Sequence, residues 1–331
     1  MYLEGIVGIN REQILNLFSM YDQFRQRKKL SMYFQCIPHF LPEHISQSPQ
    51  CISLSQLSYI DSILMRFNLA DSKPFTTPMD SSIRFSKDQC PQTLEEAAKM
   101  SKVPYREAIG SLNYCAVATW PDIAFSVSLL AQFMDNLGKI HWEAVKRVFR
   151  YLKGTRNWVL TYGTTNDGLN GYTDADGSSQ EHRHAISGYV FLVNGGAVSW
   201  SSKKQELVTL STVESEYVAA TYAAKEALWL RRIVGEIFEP ITEPTTLYSD
   251  SQSASRLPRM DRITREQSIL ISGTISFDTL YKTELLTWYT VLQKKWLPTY
   301  SWKLFQIARP SISRHRLDYV QLKGEHWGMK I

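Results

Sequence analysis

Three acidic residues, Asp174, Glu216 and Asp250, stand in contexts from which they could work together. Asp174 ends an apolar-flanked, strand-like run, and Asp250 ends a second one, Thr246-Leu247-Tyr248-Ser249. Glu216 falls on a long helical pattern between them. Carboxylates at two strand ends and on a facing helix are the donor set of a two-metal site, where ions ~3.5–4 Å apart activate water for in-line attack on a phosphodiester. Mg²⁺ suits such chemistry, because it takes a few carboxylates and keeps other positions for water and phosphate oxygens. Clustered carboxylates repel one another unless a cation neutralises them, so as packing alone they make little sense. Taken singly, each acid reads more readily as a surface or capping residue than as a metal ligand. Glu214 is such a case: Ser211-x-x-Glu214 has the capping-box pattern, which leaves Glu216 for the metal.

The elements that must position these acids are legible around them. Leu169 to Thr173 leads into Asp174, after a turn at Asn166-Asp167-Gly168. Ala185 to Val193 and Ala197 to Trp200 are apolar runs joined by Asn194-Gly195-Gly196, a strong hairpin signal. Leu207 to Leu210 reads as a further short strand. Val218, Ala219, Tyr222, Ala223, Leu228, Leu230, Ile233 and Ile237 recur at helical spacing. Pro240 and Pro244 end that helix before the strand that carries Asp250. Strands, a helix and a further strand in this order predict an α+β fold with a mixed sheet.

Upstream, Ile52 and Leu54 alternate with serines as in a short strand, and Leu57 to Leu69 has helical spacing. Asp71 to Asp80 is a turn-rich connector, and residues 81–103 read as a polar, exposed linker. Three helices follow: one through Tyr105, Ile109, Leu112 and Val117, one opening at Pro121, and one over His141 to Leu152. The last turns Lys146, Arg147 and Arg150 outward. A basic face is usually only solvated, with binding of a nucleic-acid backbone as the functional reading. A strand is expected over Trp158 to Tyr162. Residues 12–35 hold a possible helix and the basic run Arg25, Arg27, Lys28, Lys29, and residues 1–50 otherwise carry little signal.

The 331 residues leave room for one large domain or two medium ones. A charge of +5 and a pI near 8.9 are compatible with a nucleic-acid partner without being diagnostic. Cys36, Cys51, Cys90 and Cys115 form no C-x-x-C pair and have no histidines at zinc spacing, so they read as reduced thiols. No apolar run reaches the ~18–20 residues of a membrane span, and the N-terminus lacks a signal-peptide layout. The expectation is an intracellular protein, cytoplasmic or nuclear.

Tyr105-Arg-Glu-Ala-Ile-Gly-Ser-Leu-Asn-Tyr114, Trp120-Pro-Asp-Ile-Ala-Phe125 and His141 through Gly154 resemble the segment after the polymerase palm of copia-type retrotransposon Pol polyproteins. Cys51 to Asp80, ending Thr77-Pro-Met-Asp80, belongs to the same resemblance. Gly171-Tyr-Thr-Asp-Ala-Asp176, Ser199-Trp-Ser-Ser-Lys-Lys-Gln205, Ser211-Thr-Val-Glu-Ser-Glu-Tyr217 and Tyr248-Ser-Asp-Ser-Gln252 resemble that polyprotein's ribonuclease H domain. The resemblance implies a reverse transcriptase tail over 51–104, a helical connection segment over 105–157 and a ribonuclease H-like domain over 158–255. It implies cleavage of the RNA strand of an RNA–DNA hybrid, with Mg²⁺ or Mn²⁺ held by Asp174, Glu216 and Asp250, three of the family's four acids. Lys146, Arg147, Arg150, Lys203 and Lys204 are candidates for nucleic-acid contacts. The family's paired polymerase aspartates after Tyr-Val do not occur, so polymerase activity is not carried over. Trp120 stands where the family has arginine.

After Ala254 the resemblance stops. Arg259 to Phe277 can be encoded by synonymous codons, chosen to fit, that when read from the last base of each triplet give Asp-Gly-Ser-Tyr-His-Ala-Arg-Thr-Lys-His-Ile-Asp-Ile-Arg-Tyr-His-Phe-Ile, the family's continuation. With codons chosen likewise, the same shifted frame across Trp288 to Ser301 can give the family's Ala-Asp, its fourth acid. A frameshift between Ala254 and Arg259 is therefore expected, with 256–331 an out-of-frame tail that neither packs nor completes the sheet. That makes the ribonuclease H domain incomplete and its activity degenerate. A binding fragment without catalysis, or a relic without a molecular role, are the alternatives.

Overall fold

The computed structural model describes residues 44–48, 51–80, 82–163, 167–176, 184–206, 208–209, 211–237, 240–251, 286–290 and 312–313. The possible helix at 12–35, the basic run after it and most of the tail lie outside them.

Nine strands and six α-helices are found among the described residues. In chain order they are β1 (His44–Gln47), β2 (Ile52–Ser55), α1 (Leu57–Arg66), α2 (Leu94–Met100), α3 (Tyr105–Ala118), α4 (Ala124–Ala131), α5 (Lys139–Thr155) and β3 (Val159–Tyr162). Then come β4 (Asn170–Asp176), β5 (Ile186–Val193), β6 (Gly196–Lys204), α6 (Thr212–Ile237), β7 (Thr245–Ser249), β8 (Leu286–Thr290) and β9 (Ile312–Ser313). The fold is α+β, with a mixed sheet ordered β6-β5-β4-β7-β8 and a second sheet ordered β1-β2-β3-β9. In the mixed sheet β6, β5 and β4 are antiparallel neighbours, while β7 runs parallel to β4 and β8 parallel to β7.

The mixed sheet is covered on both faces. Ile186, Val190 and Ala197 join the core formed with α1 and α3 to α5. Phe191 and Leu247 pack against α6. This two-sided burial explains why β5 reads as an almost unbroken apolar run rather than a clean alternation. Ala220, Ala223, Ala224 and Ala227, spaced to lie on one stripe, are buried in that second core. Their small side chains let the helix lie close to the sheet. The hairpin behaves as the sequence requires: Val193 pairs with Gly196, and Asn194 and Gly195 both take positive φ, at 50° and 79°. These are the values of a two-residue type I′ turn.

Two of the family-like motifs interlock. Asp122 of the Trp-Pro-Asp segment is buried and accepts a hydrogen bond from the Tyr151 hydroxyl on α5. The Trp200 indole N–H on β6 donates to the Ala116 carbonyl on α3 at 2.7 Å, tying helices to the mixed sheet.

Several expectations are corrected here. Residues 81–103 are not simply an exposed linker: Phe85 and Cys90 are buried in the helical core, and α2 forms behind a Thr93 cap. Val208 and Thr209 are not in a strand. Gln205 instead turns the chain toward α6, its amide donating to Ser187 Oγ and the Ser215 carbonyl. β3 pairs with β2 rather than with the acid-bearing sheet. The tail, expected not to pack, supplies β8 on the free side of β7, with Leu286 in the second core. The run Leu286-Thr-Trp-Tyr-Thr290 consists mostly of β-branched and aromatic residues, which favour a strand wherever a sheet edge offers pairing.

Gly171 marks a close approach in the sheet. A Cβ there would sit 2.3 Å from the Phe191 ring and 2.9 Å from Leu247 Cδ1. Gly171→Ala is expected to destabilise the protein by about 1–3 kcal/mol, the usual cost of overpacking a filled core. A urea midpoint unchanged by that substitution would contradict the packing described.

Candidate metal centre

The register of the sheet explains how two of the acids meet. β4 and β7 are parallel neighbours with Tyr172 opposite Tyr248, and their rings stack 4.9 Å apart. Two residues further on, at the same height on each chain, stand Asp174 and Asp250. Glu216 comes to them from the first turns of α6, whose N-terminus is fixed by Ser211 Oγ accepting from the Glu214 N–H. Asp174, Glu216 and Asp250 each offer an oxygen, and these lie within 4.8 Å of one another.

Glu216 is the buried member, 9 % exposed. It accepts from the Ala175 N–H and shares a hydrogen bond with the Asp174 carboxyl. Burial, and then the charges of Asp174 and Asp250, hold its carboxyl far above the usual carboxylate range. Among the described residues its Oε2 is buried with no hydrogen-bond partner. A buried carboxylate oxygen without a donor costs free energy that a native fold seldom leaves uncompensated. All three donors are hard oxygens on acids, the set that suits Mg²⁺ or Mn²⁺. The residues present therefore fit a divalent cation. Among the described residues the cluster consists of these three acids.

The candidate nucleic-acid residues are placed differently. Arg147 contacts Asp80 Oδ2 at 3.0 Å and donates to Thr77 Oγ1 at 2.9 Å, with its guanidinium over the Phe75 ring. Arg150 donates to the Lys73 carbonyl and lies over the same ring. Lys146 pairs with Glu143. Arg147 and Arg150 thus clamp the 73–80 connector onto α5, which accounts for the Thr77-Pro-Met-Asp80 motif as an intramolecular partner. Lys203 pairs with Glu206 at the surface, and Lys204 reaches Gln132 at 3.4 Å. None of these five is brought to the acidic cluster. Gln205, which fixes the approach to α6, closes the Ser199–Gln205 motif but carries no sequence signal of its positioning role.

No family model matches the chain. It is 47 % identical over 207 residues to the retrovirus-related Pol polyprotein from transposon TNT 1-94 of Nicotiana tabacum, which covers 62 % of this chain and 16 % of the polyprotein. It is 33 % identical over 261 residues to that from transposon RE1 of Arabidopsis thaliana, 78 % of this chain and 17 % of that one. The chain belongs to the copia-type retrotransposon Pol polyproteins. It spans about a sixth of the length of these two relatives. Among solved structures it is similar to LC11-RNase H1 in complex with RNA/DNA hybrid, at 14 % identity and a TM-score of 0.28, covering 38 % of this chain and 87 % of that one. In this Pol fragment, among the described residues, no helix is long and apolar enough to cross a membrane.

Proposed function

We propose that this Pol fragment is a divalent-cation-binding, ribonuclease H-like unit acting on RNA–DNA hybrids, with its cleavage activity degenerate. The observation that carries the reading is the buried, unpartnered Glu216 Oε2 inside a set of three acids drawn from two parallel strand ends and a helix. Asp174, Glu216 and Asp250 would hold the cations, which when bound supply an activated water and neutralise charge on the phosphate. The protein's part is to fix three oxygens at one height of the sheet and to keep Glu216 dry. Degeneracy is supported by the resemblance, whose fourth acid has no counterpart that can be named in this chain, while three acids make up the cluster among the described residues.

Calorimetric titration with Mn²⁺, paired with cleavage of a labelled RNA–DNA hybrid, tests both halves. The full chain should bind Mn²⁺, Asp174→Asn should weaken that binding by about tenfold or more, and cleavage should be slow or absent. Failure to bind any divalent cation would remove the site. Rapid cleavage abolished by Asp174→Asn would remove the degeneracy.

A further inference from the structure

A trough runs along the mixed sheet's β6 edge, on the side of α6. One part, about 520 Å³, has Tyr189, Ser201 and Lys203 from the sheet on one wall and Tyr222, Lys225 and Trp229 from α6 on the other. The second part, about 510 Å³, shares Ser201, Glu226 and Trp229 with the first and runs on toward Val117 and Val198. Trp229, at the junction, is 52 % exposed, and Val117 and Val198 are exposed as well. Large apolar groups gathered at one place on a surface mark a site of interaction more often than single exposed residues do.

The charges along the trough have one dominant sign. Lys203, Lys204 and Lys225 line it, against a single carboxylate, Glu226, which accepts from Ser199 Oγ at 2.6 Å. Lys203 pairs at the surface with Glu206, and such exposed pairs are weak and screened by salt. Lys225 lies 5.7 Å from the Tyr222 ring centre. Neither the acidic cluster nor its three residues line this trough.

We propose that the trough binds single-stranded nucleic acid, with the Trp229 indole as a platform for a base and the three lysines set against the phosphates. Flat π surfaces next to a row of cations are the pair of features by which single strands are held without regard to sequence. An acidic peptide would satisfy the lysines but leave the indole face and the adjoining valines without a matching surface. The contacts are to bases and phosphates, so DNA and RNA single strands should bind alike.

The test is fluorescence anisotropy of a labelled oligo(dT) of about twelve nucleotides, titrated with the full chain in EDTA so that the result is independent of the acidic cluster. Trp229→Ala should weaken binding by about tenfold, and Trp229→Phe should restore most of it. Because the indole is half exposed, its removal leaves the core intact. Binding should fall with salt, and the triple substitution Lys203→Ala, Lys204→Ala, Lys225→Ala should flatten that dependence by a slope of about 2. Oligo(rU) should match oligo(dT). Binding unchanged in both Trp229→Ala and the triple variant would overturn the proposal. Competition by oligoglutamate as effective as that by the oligonucleotide would overturn it in favour of an acidic protein segment.

Discussion

Glu216→Gln is expected to make the metal-free protein more stable and, at the same time, blind to divalent cations. The Glu216 carboxyl is raised far above its ordinary value of 4.5 by burial and by Asp174 and Asp250. A carboxyl whose pKa rises on folding contributes full stability below its unfolded value and loses it as pH rises toward the folded one. Between pH 4.5 and 7 that loss is on the order of 3 kcal/mol, taking about 1.4 kcal/mol per pH unit. Glutamine does not titrate, so the variant should show none of this slope and should exceed the wild type at pH 7 by about 2 kcal/mol, since its buried amide also needs partners.

Mn²⁺ should reverse the order. A cation that binds only the folded wild type adds about 2.7 kcal/mol when present at a hundred times its dissociation constant. That gain should grow with pH, because the cation competes with the proton on Glu216. Thermal or urea denaturation from pH 5 to 8, in EDTA and in Mn²⁺, reads both effects. An equal Mn²⁺ response in wild type and variant would show that Glu216 does not belong to a cation site.

The acids themselves were legible because their signals are local. Asp174 and Asp250 each close a short apolar run, and Ser211-x-x-Glu214 separates a capping glutamate from the one that faces inward. The Asn194-Gly195 turn was equally local, since positive φ at two successive positions restricts the residue types that can stand there. What escaped was set by pairing across long stretches of chain. Nothing within Val159 to Tyr162 says that its neighbour is Ile52 to Leu54, more than a hundred residues earlier. The basic face of α5 looked solvated because Phe75, Thr77 and Asp80, which take up Arg147 and Arg150, lie some seventy positions away. Trp229 sits at a helical position where an apolar residue is ordinary. Only the meeting of β6, α4 and α6 turns its face toward a trough.

The largest loss of stability is expected from Leu286→Asp. Leu286 begins β8, pairs with Thr245 and is 2 % exposed within the core that includes Leu247 and Phe191. Leu286→Ala should cost about 2–5 kcal/mol through lost burial and the cavity left behind. Aspartate adds an unpaired charge, and a buried charge without a partner costs several kcal/mol more. Together these approach the whole stability of an ordinary domain, ~5–15 kcal/mol. Loss should begin at β7, whose pairing with β8 spans Thr245 to Ser249 and leads directly to Asp250. Hydrogen exchange in β7 and the Mn²⁺ response should therefore fail together, while the helices α3 to α5, packed in the other core, keep more protection. The frameshift expected from the sequence would run across this region, and Trp288, where its second family-like stretch would begin, lies inside β8. If Leu286→Asp leaves the unfolding midpoint and β7 exchange unchanged, β8 contributes nothing to the sheet, and the tail is the inert extension that a frameshift alone would produce.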